Sequence, residues 1–410
     1  MGSLTDDLPL FQAYVALGIS AVVPIYLGSF ASLPVRYPVK RRRNSRTASE
    51  ADADDESSSD EEELDRLTSE DALWFPIIGS VVLATLYLVF KYLNKELINV
   101  IFSWYFAFMG TAAVMRMFVK SAKGSISRTT YSKLSKWRFV LYRNTKEYTS
   151  LRFTSLHLSL LLLSIAVTAL QQATKFWALS NLVALAFAFN AVSLLKVDSF
   201  KTGSLLLMGL FVYDIYWVFF SERAFGDNVM VSVAQNFDAP IKILWPKSLS
   251  FTDSSGFSML GLGDIVVPGT VISLALRYDQ FLSRTTSNGA KAPIPSPSQR
   301  LAFPKPYFTA VFTAYILGLT TTIVVMHTFQ AAQPALLYLS PACVGAAFLT
   351  AVRRGEVGSM WKYEDGEERE KEKREKEKEE KEKENRSRGT GKGEEAVFED
   401  SEDEDVRKRK

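Results

Sequence analysis

The sequence predicts an all-α, polytopic membrane protein of nine transmembrane helices, and three observations carry that expectation. Charge is segregated. Of the 48 Lys and Arg and 45 Asp and Glu in 410 residues, 18 fall in residues 40–71 and 39 in residues 353–410. The other 320 residues carry 36, about one in nine, well below the quarter usual in soluble domains. Nine apolar stretches separate the loops, each near the roughly 20 residues that cross hydrocarbon. Lys and Arg, finally, crowd into alternate loops.

The first span, 8–31, has Asp6 and Asp7 before it and no basic n-region. It reads as a span rather than a cleaved signal. Residue 6 being Asp also breaks the myristoylation pattern that Met1-Gly2 would begin. Residues 32–71 follow, with the acidic, Ser-rich run TASEADADDESSSDEEELDRLTSED at 47–71. That run has too little apolar surface to offset ordering entropy, so a disordered loop is expected. Spans two and three are 72–93 and 97–118. Spans four and five, 153–170 and 175–195, are separated only by Gln171–Thr174 and read as a helical hairpin. Spans six to nine are 203–220, 257–277, 306–329 and 333–352. Residues 353–410 make a charged tail, expected to be disordered, whose run EDGEEREKEKREKEKEEKEKE at 364–384 can support a solitary helix through i,i+4 Glu–Lys pairs.

An outside N-terminus puts Arg36, Lys40–Arg43, Arg46, Arg66 and nine basic residues from Lys120 to Arg152 inside. Lys196, Lys201, Arg277, Arg284, Lys291, Arg300, Lys305, Arg353 and Arg354 join them. The outer loops hold Lys91, Lys95, Lys175, Arg223, Lys242 and Lys247. The expected topology is therefore N-terminus luminal and C-terminus cytosolic. Cys343 has no partner for a disulfide, and His157 and His327 stand far apart with no HExxH, so neither a disulfide framework nor a metal site is expected. The net charge of +3 is small and gives no reason to expect nucleic acid as a partner.

Outside the two charged segments there are 12 carboxylates, and only Asp214 and Asp264 fall well inside apolar spans. An intramembrane Asp costs ~2.5–3.5 kcal/mol on insertion scales, so those retained usually line a functional cavity. Asp214 lies six residues before the outer end of span six and Asp264 seven after the outer start of span seven. At ~1.5 Å per residue both stand roughly 10 Å below the boundary, on antiparallel helices. Two carboxyls in contact in a low dielectric share one proton. The charged one can take a proton from water while the protonated one donates to the attacked carbonyl. Spacing alone does not assign the two roles.

The surroundings suit such a pair. In MLGLGDIVVPG, Gly261 stands at i−3 from Asp264, where a missing side chain admits another backbone. Pro268 at i+4 lacks the amide that would bond the Asp264 carbonyl, so the helix should loosen at the acid. Tyr213 points about 100° from Asp214 on a helix and would line the next wall. Gln333-Pro334-Ala335-Leu336 opens span nine and offers a small wall that can approach the acids. Between spans six and seven, Val229–Val233 and Ile241–Trp245 read as strands able to pair with an unwound substrate.

FVYDIYW, MLGLGDIVVPG and QPALLY, in that order on spans six, seven and nine, resemble the YD, GxGD and PAL motifs of the GxGD intramembrane aspartyl proteases. That family comprises the presenilins and the signal peptide peptidases. VMVSVAQNFDAPIKILWP (Val229–Pro246) and the luminal N-terminus resemble the signal peptide peptidase branch. The resemblance spans about residues 72–352 and implies a catalytic core at 203–352. It implies Asp214 and Asp264 as the catalytic pair, with Tyr213, Gly261, Leu262, Gly263, Pro334, Ala335 and Leu336 shaping the site. It implies no cofactor and no metal. The implied substrates are type II transmembrane segments, notably remnant signal peptides, met in membrane lipid, and a homo-oligomer is compatible with it. The implied location is the endoplasmic reticulum membrane, and Arg407-Lys408-Arg409-Lys410 resembles its dibasic retrieval signals. The single sequon, Asn385-Arg386-Ser387, would lie unglycosylated in the cytosolic tail. Three rival readings are compatible with parts of the sequence. A proton- or cation-coupled transporter could use the same acid pair. A rhomboid-type serine protease would need Ser258 and His327. A non-catalytic platform for membrane helices would need neither acid.

Overall fold

The computed structural model describes residues 8–33, 66–125, 136–143, 146–226, 228–237, 239–247, 256–284, 302–329 and 333–365. Its first helices are α1 (Leu8–Ala31), α2 (Ser69–Tyr92), α3 (Lys95–Ser125), α4 (Ser155–Thr174), α5 (Trp177–Leu194) and α6 (Phe200–Ile215). The short α7 (Ser221–Phe225) and α8 (Val229–Asn236) follow, then α9 (Gly263–Arg284), α10 (Pro306–Phe329), α11 (Leu336–Arg354) and α12 (Val357–Lys362). Three two-stranded sheets complete it: β1 (Arg66–Leu67) with β4 (Lys196–Val197), β2 (Lys136–Arg143) with β3 (Lys146–Thr154), and β5 (Lys242–Pro246) with β6 (Phe257–Gly261). The described residues up to Tyr363 form one compact unit. The expectations for residues 47–65, for the Glu/Lys run from residue 366 onward, for the sequon and for the terminal basic residues lie outside the described residues.

The protein is predominantly helical, as expected of a polytopic chain. Among the described residues eight helices are long and apolar enough to cross a membrane: α1 to α5, α6 with its continuation to Phe225, α10 and α11. The seventh expected span, 257–277, is corrected at its start. Residues 257–261 are strand β6, and the helix begins only at Gly263. Gly256 (φ +91°), Gly261 and Gly263 crowd this stretch with a residue type poorly suited to a helix interior. Helix α9 itself carries Asp264, Arg277 and Asp279 and is not among the eight.

Two further boundaries move. The hairpin between α4 and α5 turns at Lys175 in the left-handed region (φ 51°), because α4 runs through Thr174. Val229–Val233 is helix α8 rather than a strand. Val229 and Val233, spaced i and i+4, both bury against Tyr87, Phe90 and Ile98, so packing overrides β-branched preference. The basic loop before α4 contains the antiparallel β2–β3 hairpin, which the apolar count did not reveal.

Helices α2 and α6 are brought together from their first residues. Thr68 and Asp71 form a capping box at the start of α2, with Thr68 N–H on Asp71 Oδ2 at 3.0 Å. Parallel pairing of Arg66-Leu67 with Lys196-Val197 and a 2.7 Å bond between the Ser69 and Thr202 hydroxyls fix the starts of the two helices side by side. Higher up, Pro76 fills the space over Gly209 and the Tyr213 ring covers Gly79.

Helix α9 sits at the centre, packed by α1, α5, α6, α10 and α11. Its Ile265, Val271, Ile272, Leu274, Ala275 and Leu276 are all buried. Val192 of α5 is the knob that sets the three-helix crossing. An added Cβ at Gly269 of α9 would stand 2.7 Å from Val192 Cγ2, and one at Gly28 of α1 would stand 2.9 Å from its Cβ. At the periphery α3 exposes Trp104 and Phe108 (76% and 77%), the surface expected of a helix solvated by lipid.

Gly269→Leu is expected to destabilise the protein by about 1–3 kcal/mol, since Val192 is β-branched and enclosed. Val192→Ala in the same chain should recover part of that loss. Thermal unfolding in detergent checks it; strictly additive effects of the two substitutions would show that this contact does not limit the crossing.

Candidate active site

Three chain segments converge on the two membrane acids. Asp214 is the penultimate residue of α6 and is 2% exposed. Directly after it the chain widens into a π turn, Tyr216–Phe220. Such turns interrupt the α ladder and recur at functional sites. The loosened carbonyls find side-chain donors: Ser221 Oγ donates to Trp217 O at 2.6 Å and Asn228 Nδ2 to Val218 O at 3.1 Å. Trp217 Nε1 donates to Ser80 Oγ on α2 at 3.1 Å, tying the turn to the neighbouring helix.

The second segment is the β5–β6 hairpin and the start of α9. Asp264 is the second residue of that helix and is half-buried. Gly261 closes β6 instead of lying on a helical face, yet it stays near the acid: a Cβ there would stand 3.5 Å from Asp264 Oδ2. Leu262 is the joint. Its N–H donates to Ile241 O at 3.0 Å, and its C=O accepts from Ile265 and Val266 N–H at 3.1 and 2.8 Å. Gly263 is exposed, and a Cβ there would meet nothing within 4 Å.

The third segment is the start of α11. Pro334, Ala335 and Leu336 are buried, and Leu336 N–H donates to Asp214 Oδ2 at 3.2 Å. The first amides of any helix lack intrahelical acceptors, and a carboxylate is a favourable partner for them. Here that partner comes from another helix. The Tyr213 ring lies over Gly79 of α2 and within electrostatic reach of Asp214. Helices α6 and α9 pack together, and Asp264 lies within electrostatic reach of Asp214. Among the described residues no three His, Cys, Asp or Glu side chains gather to hold a metal ion. His327 packs edge-on against Tyr14 of α1, at 6.0 Å between ring centroids.

One contributor escaped sequence reasoning. Pro268 leaves the Asp264 carbonyl without its i+4 amide, and the hydroxyl of Tyr315, on α10, donates to that carbonyl at 3.3 Å. Tyr315 is fully buried. The sequence signalled that the carbonyl needed a donor; it did not say which helix would supply it.

The comparisons with known proteins bear on this arrangement. The family model described as "Signal peptide peptidase" matches residues 59–367. The chain belongs to the signal peptide peptidase family. It is 37% identical to mouse signal peptide peptidase over 361 residues, covering 87% of this chain and 84% of that protein. The human signal peptide peptidase is likewise 37% identical over 363 residues, with the same coverage. A probable intramembrane protease of Schizosaccharomyces pombe is 37% identical over 298 residues, 72% of this chain and 83% of that protein. As a signal peptide peptidase family member the chain is a multi-pass membrane protein and an intramembrane aspartyl protease. The transporter reading receives no support from these likenesses.

Tyr315→Phe removes only the hydroxyl and is expected to lower kcat for peptide cleavage by up to about tenfold with KM nearly unchanged. Pro268→Ala restores an amide at the right spacing, so Tyr315→Phe should cost less in that background. Steady-state cleavage of a model peptide by the four chains checks the coupling; equal losses in both backgrounds would remove Tyr315 from this role.

Proposed function

We propose that Asp214 and Asp264 are the catalytic pair of this protease. They would hydrolyse peptide bonds within type II transmembrane segments such as remnant signal peptides. The observation that carries the assignment is that two carboxyls from separate helices lie within electrostatic reach of each other, one of them held by the first amide of α11. The likeness to proteins named signal peptide peptidase supports the substrate class.

The chemistry follows from a shared proton. The charged carboxylate takes a proton from a water, whose oxygen bonds to the amide carbon. The protonated carboxyl gives its proton to the carbonyl oxygen, and a tetrahedral diol forms. Collapse of the diol breaks the C–N bond: the proton gained from water passes to the leaving nitrogen, and the carboxylate that donated to the carbonyl oxygen takes a hydroxyl proton back from the diol as its C=O re-forms. The pair returns to its starting state with one proton. No cofactor takes part in any step.

A helical substrate hides its carbonyls in i→i−4 bonds, so unwinding must come first, and helix-weakening residues in the substrate favour cleavage. The β5–β6 hairpin supplies a place for the unwound stretch. Its last strand residue, Gly261, lies three positions before Asp264, so a segment paired along β6 is led toward the acids. Residues 203–352 make the catalytic core in this reading. The Lys/Arg bias sets the N-terminus in the lumen and the C-terminus in the cytosol of the endoplasmic reticulum membrane.

Reconstitution with a model signal peptide tests the assignment. Wild type should release two peptide products, with a rate that falls on both the acid and the alkaline side of an optimum. Asp214→Asn and Asp264→Asn should each reduce cleavage to background while the protein still folds. Persistent cleavage by either variant would sink the catalytic assignment, and solute-coupled proton flux in liposomes would revive a transporter.

A further inference from the structure

The β5–β6 hairpin has two outer edges, and the structure treats them differently. Asn181, in the first turns of α5, is 7% exposed. Its Nδ2 donates to Leu244 O at 2.7 Å, and its Oδ1 accepts from Leu244 N–H at 2.8 Å. One side chain thus gives and takes the pair of bonds that a neighbouring strand residue would exchange with Leu244. Trp177, one turn earlier on α5, packs its ring against Trp245 at 5.2 Å.

The register says which edge this is. Pairing runs Ile243↔Leu260, Leu244↔Met259 and Trp245↔Ser258. Ile241 and Lys247 turn their backbone groups inward, to Leu262 N–H and Gly256 O at 3.0 and 3.1 Å. Odd-numbered β5 residues and even-numbered β6 residues therefore face each other across the ladder, and Leu244 faces out. By the same alternation the N–H and C=O groups of Met259 and Gly261 point to the opposite edge. Among the described residues no strand lies along it.

We propose that Asn181 is a specificity-determining positioning residue: it occupies the β5 edge, leaves only the β6 edge for an unwound substrate, and so fixes which peptide bond is presented to Asp264. An open β5 edge would offer a second pairing surface, on the far side of the hairpin from the strand that leads into α9. A hairpin released from α5 would also be free to shift against the acids. Because side chains alternate along a strand, a slip by two residues keeps every side chain on its own face, whereas a slip by one reverses them all. Displaced cuts should therefore fall two residues from the normal one.

The proposal rests on the protease reading above, and its test separates the two. Full-length wild type, Asn181→Ala and Asn181→Asp are reconstituted with a model signal peptide, and product termini are read by mass spectrometry. Asn181→Asp keeps shape and acceptor but sets an oxygen against the Leu244 carbonyl. Both variants should yield additional products cut two residues away, with kcat/KM lowered about tenfold for loss of buried hydrogen bonds. Binding of an active-site-directed transition-state inhibitor should stay within about twofold, because the acids are untouched. Cut positions are read from whatever fraction folds, so a lower yield does not hide the answer. Unchanged termini in both variants would overturn the proposal, as would variants that make no product at all, since loss of register should move the cut rather than abolish it. Failure of the protease reading looks different: wild type itself would release no peptide, or Asp264→Asn would still cut.

Discussion

The bond between Asp214 and the first amide of α11 is the contact on which the site depends. A carboxylate inside an apolar bundle is costly unless something polar meets it, and the open end of a helix is costly for the same reason. Each cancels the other's deficit at 3.2 Å. The bond also carries positional information. It holds the start of α11 against α6 and fixes an Asp214 that lies within electrostatic reach of Asp264. Pro334 and Ala335 fit this role because they are compact and buried, and proline tolerates the beginning of a helix.

Around that bond the backbone is repeatedly taken out of regular helix. The π turn begins two residues after Asp214, and the β6 strand ends three residues before Asp264. Pro268 removes an amide one turn beyond it. Irregular backbone at membrane depth survives only where protein or water satisfies it. The rest of the bundle is built to permit that. Helix α9 is buried among five other helices, and α2 closes over α6 through the Pro76–Gly209 and Tyr213–Gly79 contacts. The acids are thereby kept away from lipid without being sealed inside continuous helix.

Much of this was legible in the sequence, and the reasons are physical. Long apolar stretches report a requirement on composition, so the limits of α1 and α10 match the expected spans to the residue. Asp214 and Asp264 stood out because charge is expensive where every neighbour is apolar. What composition could not give was how backbone groups are paired. Residues 257–277 look like one apolar span, yet three glycines and a partner strand convert the first part to β structure. Val229–Val233 carries the strand-forming residue types but folds as a helix, because its i,i+4 valines find a pocket on α2 and α3. Tyr315 and Asn181 were invisible for a further reason. Both serve backbone atoms of residues distant in sequence, Asp264 and Leu244, and a single sequence does not list such pairs.

Those two residues and Asp214 share one device, a side chain standing in for a missing piece of backbone. The Asp214 carboxylate replaces the carbonyl that the α11 terminus lacks, and the Tyr315 hydroxyl replaces the amide that Pro268 removed. The Asn181 amide replaces a whole strand neighbour beside β5. Each substitution does what a regular element could not. A continuing helix would bury Asp264 behind its own turns, and a third strand on β5 would consume space on the α5 side of the hairpin. Side chains fill these places at single points and leave the adjoining backbone free. No further strand pairs along β6 among the described residues, and a Cβ added at Gly261 would meet only the acid itself. A protease that must accept an unwound stretch of membrane helix needs backbone groups on offer next to its acids. Point-wise capping is how a helical bundle can keep them on offer while satisfying the rest.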